Sequence, residues 1–224
     1  AKLVMDVLNE AAQSAGRKVM YAFNITDEID VMRRNIDLLE SLGATCAMVS
    51  LNSIGLVGLR AIRDHSPLPI HAHRNGWGLM SRSPHVGIEY LAMQKLWRLA
   101  GSDHLHVNGL ANKFTEGDIV VTNAARSVQA PLTDMTSHAA LPVFSSGQTA
   151  WQVGPSMELL GNDDFLFCAG GGIMSHPDGP AAGITSLRQA AAAQKAGEKV
   201  EDYANDHPEL SAALTTFKSA VNRS

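Results

Sequence analysis

Six short apolar runs recur along the chain, at Val19–Asn24, Thr45–Ser50, Leu68–His73, Asp103–Val107, Leu141–Ser145 and Asp164–Ala169. Within each, apolar residues follow one another rather than alternate, as in strands covered on both faces. Between the runs the spacing changes to three and four. Ile29, Met32, Ile36, Leu39 and Leu42 fall on one helical face, with Gly43 as the stop. Val86, Tyr90, Met93, Leu96, Trp97 and Ala100 form a second face, with Pro84 just before it and Gly101 just after. Strand and helix patterns alternate at intervals of roughly 23 to 38 residues, which predicts parallel strands joined by right-handed crossovers.

Two α/β architectures accommodate that order, a (β/α)8 barrel and a doubly wound sheet. The barrel is favoured, because several strands end in polar chemistry. The first β-α turn, Asn24-Ile25-Thr26-Asp27, is also no glycine-rich nucleotide fingerprint. Six strands do not close the usual eight-stranded barrel, and the chain opens on a helix, Leu3–Ala12. The expected fold is therefore an incomplete (β/α)8 TIM barrel.

Composition changes this picture little. The 224 residues are 45% hydrophobic and 18% charged, ordinary for a globular protein. A net charge of −4 without a basic stripe argues against nucleic acid as a partner. No apolar run reaches the roughly 18 residues of a membrane span, and no signal peptide opens the chain. Cys46 and Cys168 both sit in apolar runs, which predicts reduced core thiols and a cytoplasmic protein.

The strand ends carry the candidate chemistry. Gly170-Gly171-Gly172 can turn consecutive backbone N–H groups toward a phosphate, or can simply make a tight turn. Gly179-Pro180-Ala181 starts a helix rich in small residues, which suits a phosphate site after a last barrel strand. Ser145-Ser146-Gly147 offers hydroxyls and further N–H donors. Arg74, behind a buried strand, needs an anion: a structural carboxylate, or a substrate phosphate or carboxylate. His104 and His106, like His71 and His73 one strand earlier, are expected to point one ring of each pair inward and to pack the other against helices. Lys113 follows Gly109 on a segment long enough to be a mobile lid, although a loop lysine is commonly a solvated charge. Asn24 and Asn52 could bind substrate or cap helices, and His176 reads best as part of a structural turn.

Taken in order, these endings resemble the catalytic barrel of the RuBisCO superfamily. The runs that carry the likeness are Tyr21-Ala22-Phe23-Asn24, Ile70-His71-Ala72-His73-Arg74, Gly101-Ser102-Asp103-His104-Leu105-His106, Lys113, Leu141 through Gly147, and Gly170 through Pro177. The likeness covers residues 1–196, which would supply barrel strands three to eight, with 197–224 as trailing helices. The resemblance implies that Arg74, His106 and Ser145 bind one substrate phosphate, and that Gly147, Gly170 and Gly171 hold the other through backbone amides. It implies a hydrogen-bonding or proton-transfer role beside the reacting carbons for His73, and makes Lys113 the lid lysine that steadies developing negative charge. It also implies Mg²⁺ on a Lys-x-Asp-Glu run. Nothing in this chain matches that run, and the resemblance places it ahead of Ala1, together with an amino-terminal domain that completes the partner's site in a homodimer.

Asn75-Gly76-Trp77-Gly78, Gln148 and the short stretch from Phe114 to Ala140 depart from true carboxylases. The runs His106-Val107-Asn108-Gly109-Leu110 and Pro142 through Gln148 look more like the RuBisCO-like proteins of non-photosynthetic bacteria. The resemblance then points first to Mg²⁺-dependent decarboxylation of a phosphorylated 3-oxo sugar acid of the 3-oxo-isoapionate-4-phosphate type. The alternatives are an enolase or isomerase of a methylthio-ketose phosphate, a true ribulose-bisphosphate carboxylase, and an inactive barrel fragment kept as a binding or structural module.

Overall fold

The computed structural model describes residues 1–83, 85–114, 116–134 and 138–218. In chain order the elements are α1 (Lys2–Ala15), β1 (Ala22–Asn24), α2 (Ile29–Ser41), β2 (Cys46–Ser50), α3 (Leu51–His65), β3 (Ile70–His73), α4 (Gly78–Ser81), α5 (Tyr90–Ala100) and β4 (His104–Asn108). There follow α6 (Asp118–Gln129), β5 (Leu141–Phe144), α7 (Ala150–Leu160), β6 (Leu166–Phe167), α8 (Gly170–Met174), α9 (Gly179–Ala196), α10 (Val200–Tyr203), a 3-10 turn (Ala204–Asp206) and α11 (Pro208–Thr216). The strands pair in chain order, β1-β2-β3-β4-β5-β6. Registers that pair Val49 with Ala72, His71 with His104, and Phe144 with Phe167 are parallel. A doubly wound sheet reverses its strand order at a switch point, whereas this order never reverses. The fold is an incomplete (β/α)8 barrel.

The chain divides into two compact units, Ala1–Leu105 with Ala130–Ala140, and His106–Gln129 with Leu141–Ser224. In the first, Met32, Ile36 and Leu39 of α2, Leu59 and Ile62 of α3, and Trp97 of α5 are buried, as are Cys46, Ala47 and Val49 of β2 and Ile70 and Ala72 of β3. The apolar face of α2 is the one its spacing predicts. In the second unit Ala150, Val153 and Met157 of α7 form one core with Ala190 of α9 and Leu210, Ala213 and Leu214 of α11. The segment after 196 is thereby built into that core.

Several expectations need correction. The helix predicted from Val86 starts at Tyr90, capped at Glu89, and Val86 and Leu96 are exposed. Its buried face includes Gln94 and Arg98, whose polarity hid it from an apolar count. Arg98 Nε donates to the His138 carbonyl at 2.8 Å and Nη2 reaches the Ala130 carbonyl, which binds residues 130–140 to α5. Pro84 lies outside the described residues. Val19 to Tyr21 stay outside β1, and β6 is only two residues long. Helix α6 lies in a stretch whose apolar positions suggested no element. Cys46 is buried as expected, but Cys168 is exposed.

Candidate functional site

The first unit presents His73 and Arg74 where β3 ends. His73 is half-buried, and its Nδ1 accepts the Asn75 backbone N–H at 3.0 Å. The same nitrogen lies 3.3 Å from Asn75 Oδ1, so it meets a side-chain acceptor as well as a backbone donor. Burial pushes the His73 pKa down; the contact with the Asn75 side chain opposes this, and the charge of Arg74 reinforces it. Arg74 is buried, with its guanidinium carbon 4.0 Å from the centre of the Tyr90 ring. Trp77 meets the same ring edge-on at 5.2 Å. The partner of Arg74 thus includes an aromatic face as well as any anion, because a weakly hydrated guanidinium stacks favourably on a ring. Tyr90 carried no site signal in sequence, since it matched the apolar periodicity.

Asn52 and Asn24 hold neighbouring backbone. Asn52 Nδ2 donates to the Asn75 carbonyl at 2.8 Å. Asn24 Oδ1 accepts from the Thr26 N–H at 3.1 Å and the Thr26 hydroxyl at 2.7 Å. The rings of His71 and His104 lie 5.7 Å apart. Residues two apart on a strand share a face, so His71 and His73, and likewise His104 and His106, do not face opposite ways as expected.

The second unit gathers the other candidates. His106 Nδ1 and Ser145 Oγ are 3.1 Å apart, joining the middle of β4 to the residue that follows β5. Ser146 Oγ lies 3.3 Å from Ser145 Oγ and donates to Asn108 Oδ1 at 2.9 Å. Gly147 follows with φ 93. The glycine triplet forms the first turn of α8 rather than an open loop. Its first intrahelical bond runs from the Ile173 N–H to the Ala169 carbonyl, which leaves the Gly170, Gly171 and Gly172 amides ahead of it. Gly170 and Gly171 are exposed with nothing near their α-carbons, so these amides are open to an anion. Gly172 is required for packing. A Cβ there would sit 2.9 Å from the Gln148 carbonyl oxygen and 3.1 Å from Thr149 Cα.

Lys113 is exposed, with its ammonium 5.5 Å from the Phe114 ring centre. Its segment is more tethered than a glycine-bearing lid implies. Asn112 Nδ2 donates to the Gly109 and Glu116 carbonyls, both at 2.9 Å, and Asp118 accepts the Ala111 N–H at 2.8 Å. The Lys113 N–H donates to the Ser146 carbonyl at 3.1 Å. His176 is structural. Its Nδ1 accepts the Asp178 N–H at 3.1 Å and Nε2 donates to the Glu209 carbonyl at 2.9 Å.

Among the described residues no three His, Cys, Asp or Glu side chains are arranged to hold a metal ion. The described residues therefore do not fit an Mg²⁺ centre. No helix among them is long and apolar enough to cross a membrane.

Comparison with known proteins adds the family. Residues 1–217 match the ribulose bisphosphate carboxylase large chain, catalytic domain. The chain is 54% identical over 213 residues to a 3-oxo-isoapionate-4-phosphate transcarboxylase/hydrolase of Xanthobacter autotrophicus, covering 95% of this chain and 51% of the relative. It is 42% identical over 216 residues to a 3-oxo-isoapionate-4-phosphate decarboxylase of Rhizobium etli, covering 96% and 52%. A solved rubisco-like protein from Burkholderia fungorum superposes with a TM-score of 0.93 at 48% identity, covering 96% of this chain and 53% of that one. The chain spans about half the length of the curated relatives it matches. It belongs to the family of ribulose bisphosphate carboxylase large-chain catalytic domains, on its RuBisCO-like branch.

Proposed function

We propose that this chain forms much of the catalytic barrel of a cytoplasmic, homodimeric carbon-carbon lyase acting on a phosphorylated 3-oxo sugar acid. The bond broken joins the carboxyl carbon to the carbon beside the ketone. Its electron pair moves toward the ketone oxygen, CO₂ leaves, and a proton then adds to the carbon of the resulting enolate. The observation that supports this reading is the His106–Ser145 contact at 3.1 Å, with Gly147 next along the chain and the open Gly170 and Gly171 amides after the adjoining strand. Hydroxyl, imidazole and backbone N–H donors suit a phosphate ester.

In this reading Arg74, His106 and Ser145 bind phosphate oxygens, as do the amides of Gly147, Gly170 and Gly171. His73, whose pKa burial lowers, hydrogen-bonds to the oxygen that gains charge or hands on a proton. Lys113 places a cation where the enolate develops, and that differential is what speeds the reaction. Mg²⁺, carried by residues other than those described, would supply Lewis-acid stabilisation when bound.

A second reading has a specific observation in its favour. The relative named transcarboxylase/hydrolase shares 54% identity, against 42% for the decarboxylase, which favours transfer of the carboxyl to an acceptor over its loss. Product analysis of the native protein with a carboxyl-labelled substrate separates the two. Decarboxylation puts the label in CO₂, transfer leaves it in a new carboxylate, and an unchanged mass would mean isomerisation and end both readings. With the same substrate, Lys113→Ala should chiefly lower kcat and Arg74→Ala chiefly raise KM, because the phosphate charge is the same in ground and transition states.

A further inference from the structure

The segment that bears Lys113 is strapped to the segment following β5 at three points. Gln148 Nε2 donates to the Leu110 carbonyl at 3.1 Å, Ser146 Oγ donates to Asn108 Oδ1 at 2.9 Å, and the Lys113 N–H donates to the Ser146 carbonyl at 3.1 Å. Gln148 has no exposed surface. Its amide lies so close over Gly109 that a Cβ there would stand 2.2 Å from Gln148 Cδ, so glycine at 109 serves this close approach and is not a hinge. Gln148 Oε1 is buried and meets no hydrogen-bond partner among the described residues.

An amide half-satisfied by protein groups at a fully buried position is costly, and an apolar side chain of the same length would fill that space without the cost. Packing therefore does not explain a glutamine at 148. The single donation to Leu110 does. Backbone strain collects at the same junction: Asn108, Ala111 and Ser146 all hold positive φ, at 65, 45 and 74. Side chains rarely adopt that region unless their surroundings impose it.

We propose that Gln148 is a positioning residue for Lys113, holding the Lys113 segment in register on the Ser146–Gln148 segment so that the lysine is presented beside the amide of Gly147. One short stretch would then both bind the substrate anion and fix the lid cation, and neither could shift without the other. The kinetic consequence rests on the role proposed for Lys113 above, whereas the physical strap does not.

The test uses the native protein with Gln148→Met, which keeps the side-chain length and removes both amide groups. The first readout is the rate of tryptic cleavage after Lys113 relative to cleavage after Lys199, also an exposed lysine. Release of the strap should raise that ratio about tenfold or more, since cleavage tracks local opening. In the second readout, kcat should fall about tenfold or more while KM stays within about threefold, and adding Gln148→Met to Lys113→Ala should cause no further loss. A wild-type ratio and a wild-type kcat would overturn the proposal. So would an equal rise at both lysines with a lowered Tm, which marks a merely structural role. If Lys113→Ala itself kept full kcat, the catalytic reading of that lysine would fall, and the cleavage ratio would still decide the strap. Should Gln148→Met not fold, Gln148→Asn keeps an amide but is one methylene too short for Leu110, and decides by the same ratio.

Discussion

Mild acid should loosen the first unit through His71. This ring pairs in register with His104 across β3 and β4, at 7% and 6% exposure, with the ring centres 5.7 Å apart. Burial, then the neighbouring His104 and His73, drive its pKa from 6.5 down to about 4. Burial lowers His104 as well, opposed by Asp103, which itself pairs with Arg63 at 2.8 Å. Cys46, on the adjoining strand, is pushed up to about 11 and stays neutral throughout. The sign follows from proton binding. Between pH 6.5 and 4 the unfolded chain takes up a proton that the folded ring refuses, so stability is full above 6.5 and is lost as pH falls toward 4. The gap between those pKa values is worth about 3 kcal/mol from His71 alone, a large share of a typical stability of about 5–15 kcal/mol. Urea midpoints measured from pH 7.5 to 4.5 should fall steeply in the wild type and less in His71→Gln, which removes the titrating ring. Carboxylates contribute equally to both proteins, so the difference isolates His71. Parallel curves for the two proteins would refute the reasoning.

Two further outcomes follow from contacts at the site. Tyr90→Leu should raise KM for a phosphate ester roughly 2- to 30-fold in steady-state kinetics with little change in kcat, since a cation–π contact is worth about 0.5–2 kcal/mol; Tyr90→Phe should restore it, and a Phe variant as impaired as Leu would show that the ring face is not what holds Arg74. Gly172→Ala should cost about 1–3 kcal/mol by thermal denaturation, because its Cβ would press on Gln148 and Thr149 backbone, whereas Gly171→Ala meets nothing within 4 Å and should leave Tm nearly unchanged.

The strands and the barrel order were legible because a parallel strand buried on both faces must be apolar at successive positions. Cys46–Ser50 and Ile70–His73 show that burial almost residue by residue. The chemistry at the strand ends was legible for a related reason, since His or Arg is costly at such a place unless something binds it. The contacts that arrange that chemistry were not. Tyr90 looked like one more apolar position, and only its stacking with Arg74 gives it a role. Arg98 and Gln94 disguised the buried face of α5, and Arg98 is satisfied there by carbonyls distant in sequence. The glycine triplet gave residue types that suit either a turn or a helix start, and the close approach of Gly172 to Gln148 chose the helix.

The two ends of the strands divide the work between stability and chemistry. At the amino ends of β3 and β4, Arg63 binds Asp103 and the Leu68 carbonyl, and the same Asp103 oxygen accepts the Ile70 N–H at 2.7 Å. Every polar group in that cluster consumes another. At the carboxyl ends donors gather: the His73 ring, the stacked guanidinium of Arg74, and, on the second unit, the Ser145 hydroxyl and the Gly170 and Gly171 amides. Topology makes this asymmetry self-reinforcing. Each parallel strand hands over to a helix whose amino terminus opens at that same end, as Ser50 leads into Leu51 of α3 and Ala169 into Gly170 of α8. Amide donors therefore accumulate where the strands stop, with the positive ends of the helix dipoles behind them. Amides so placed are satisfied by water or by an anion.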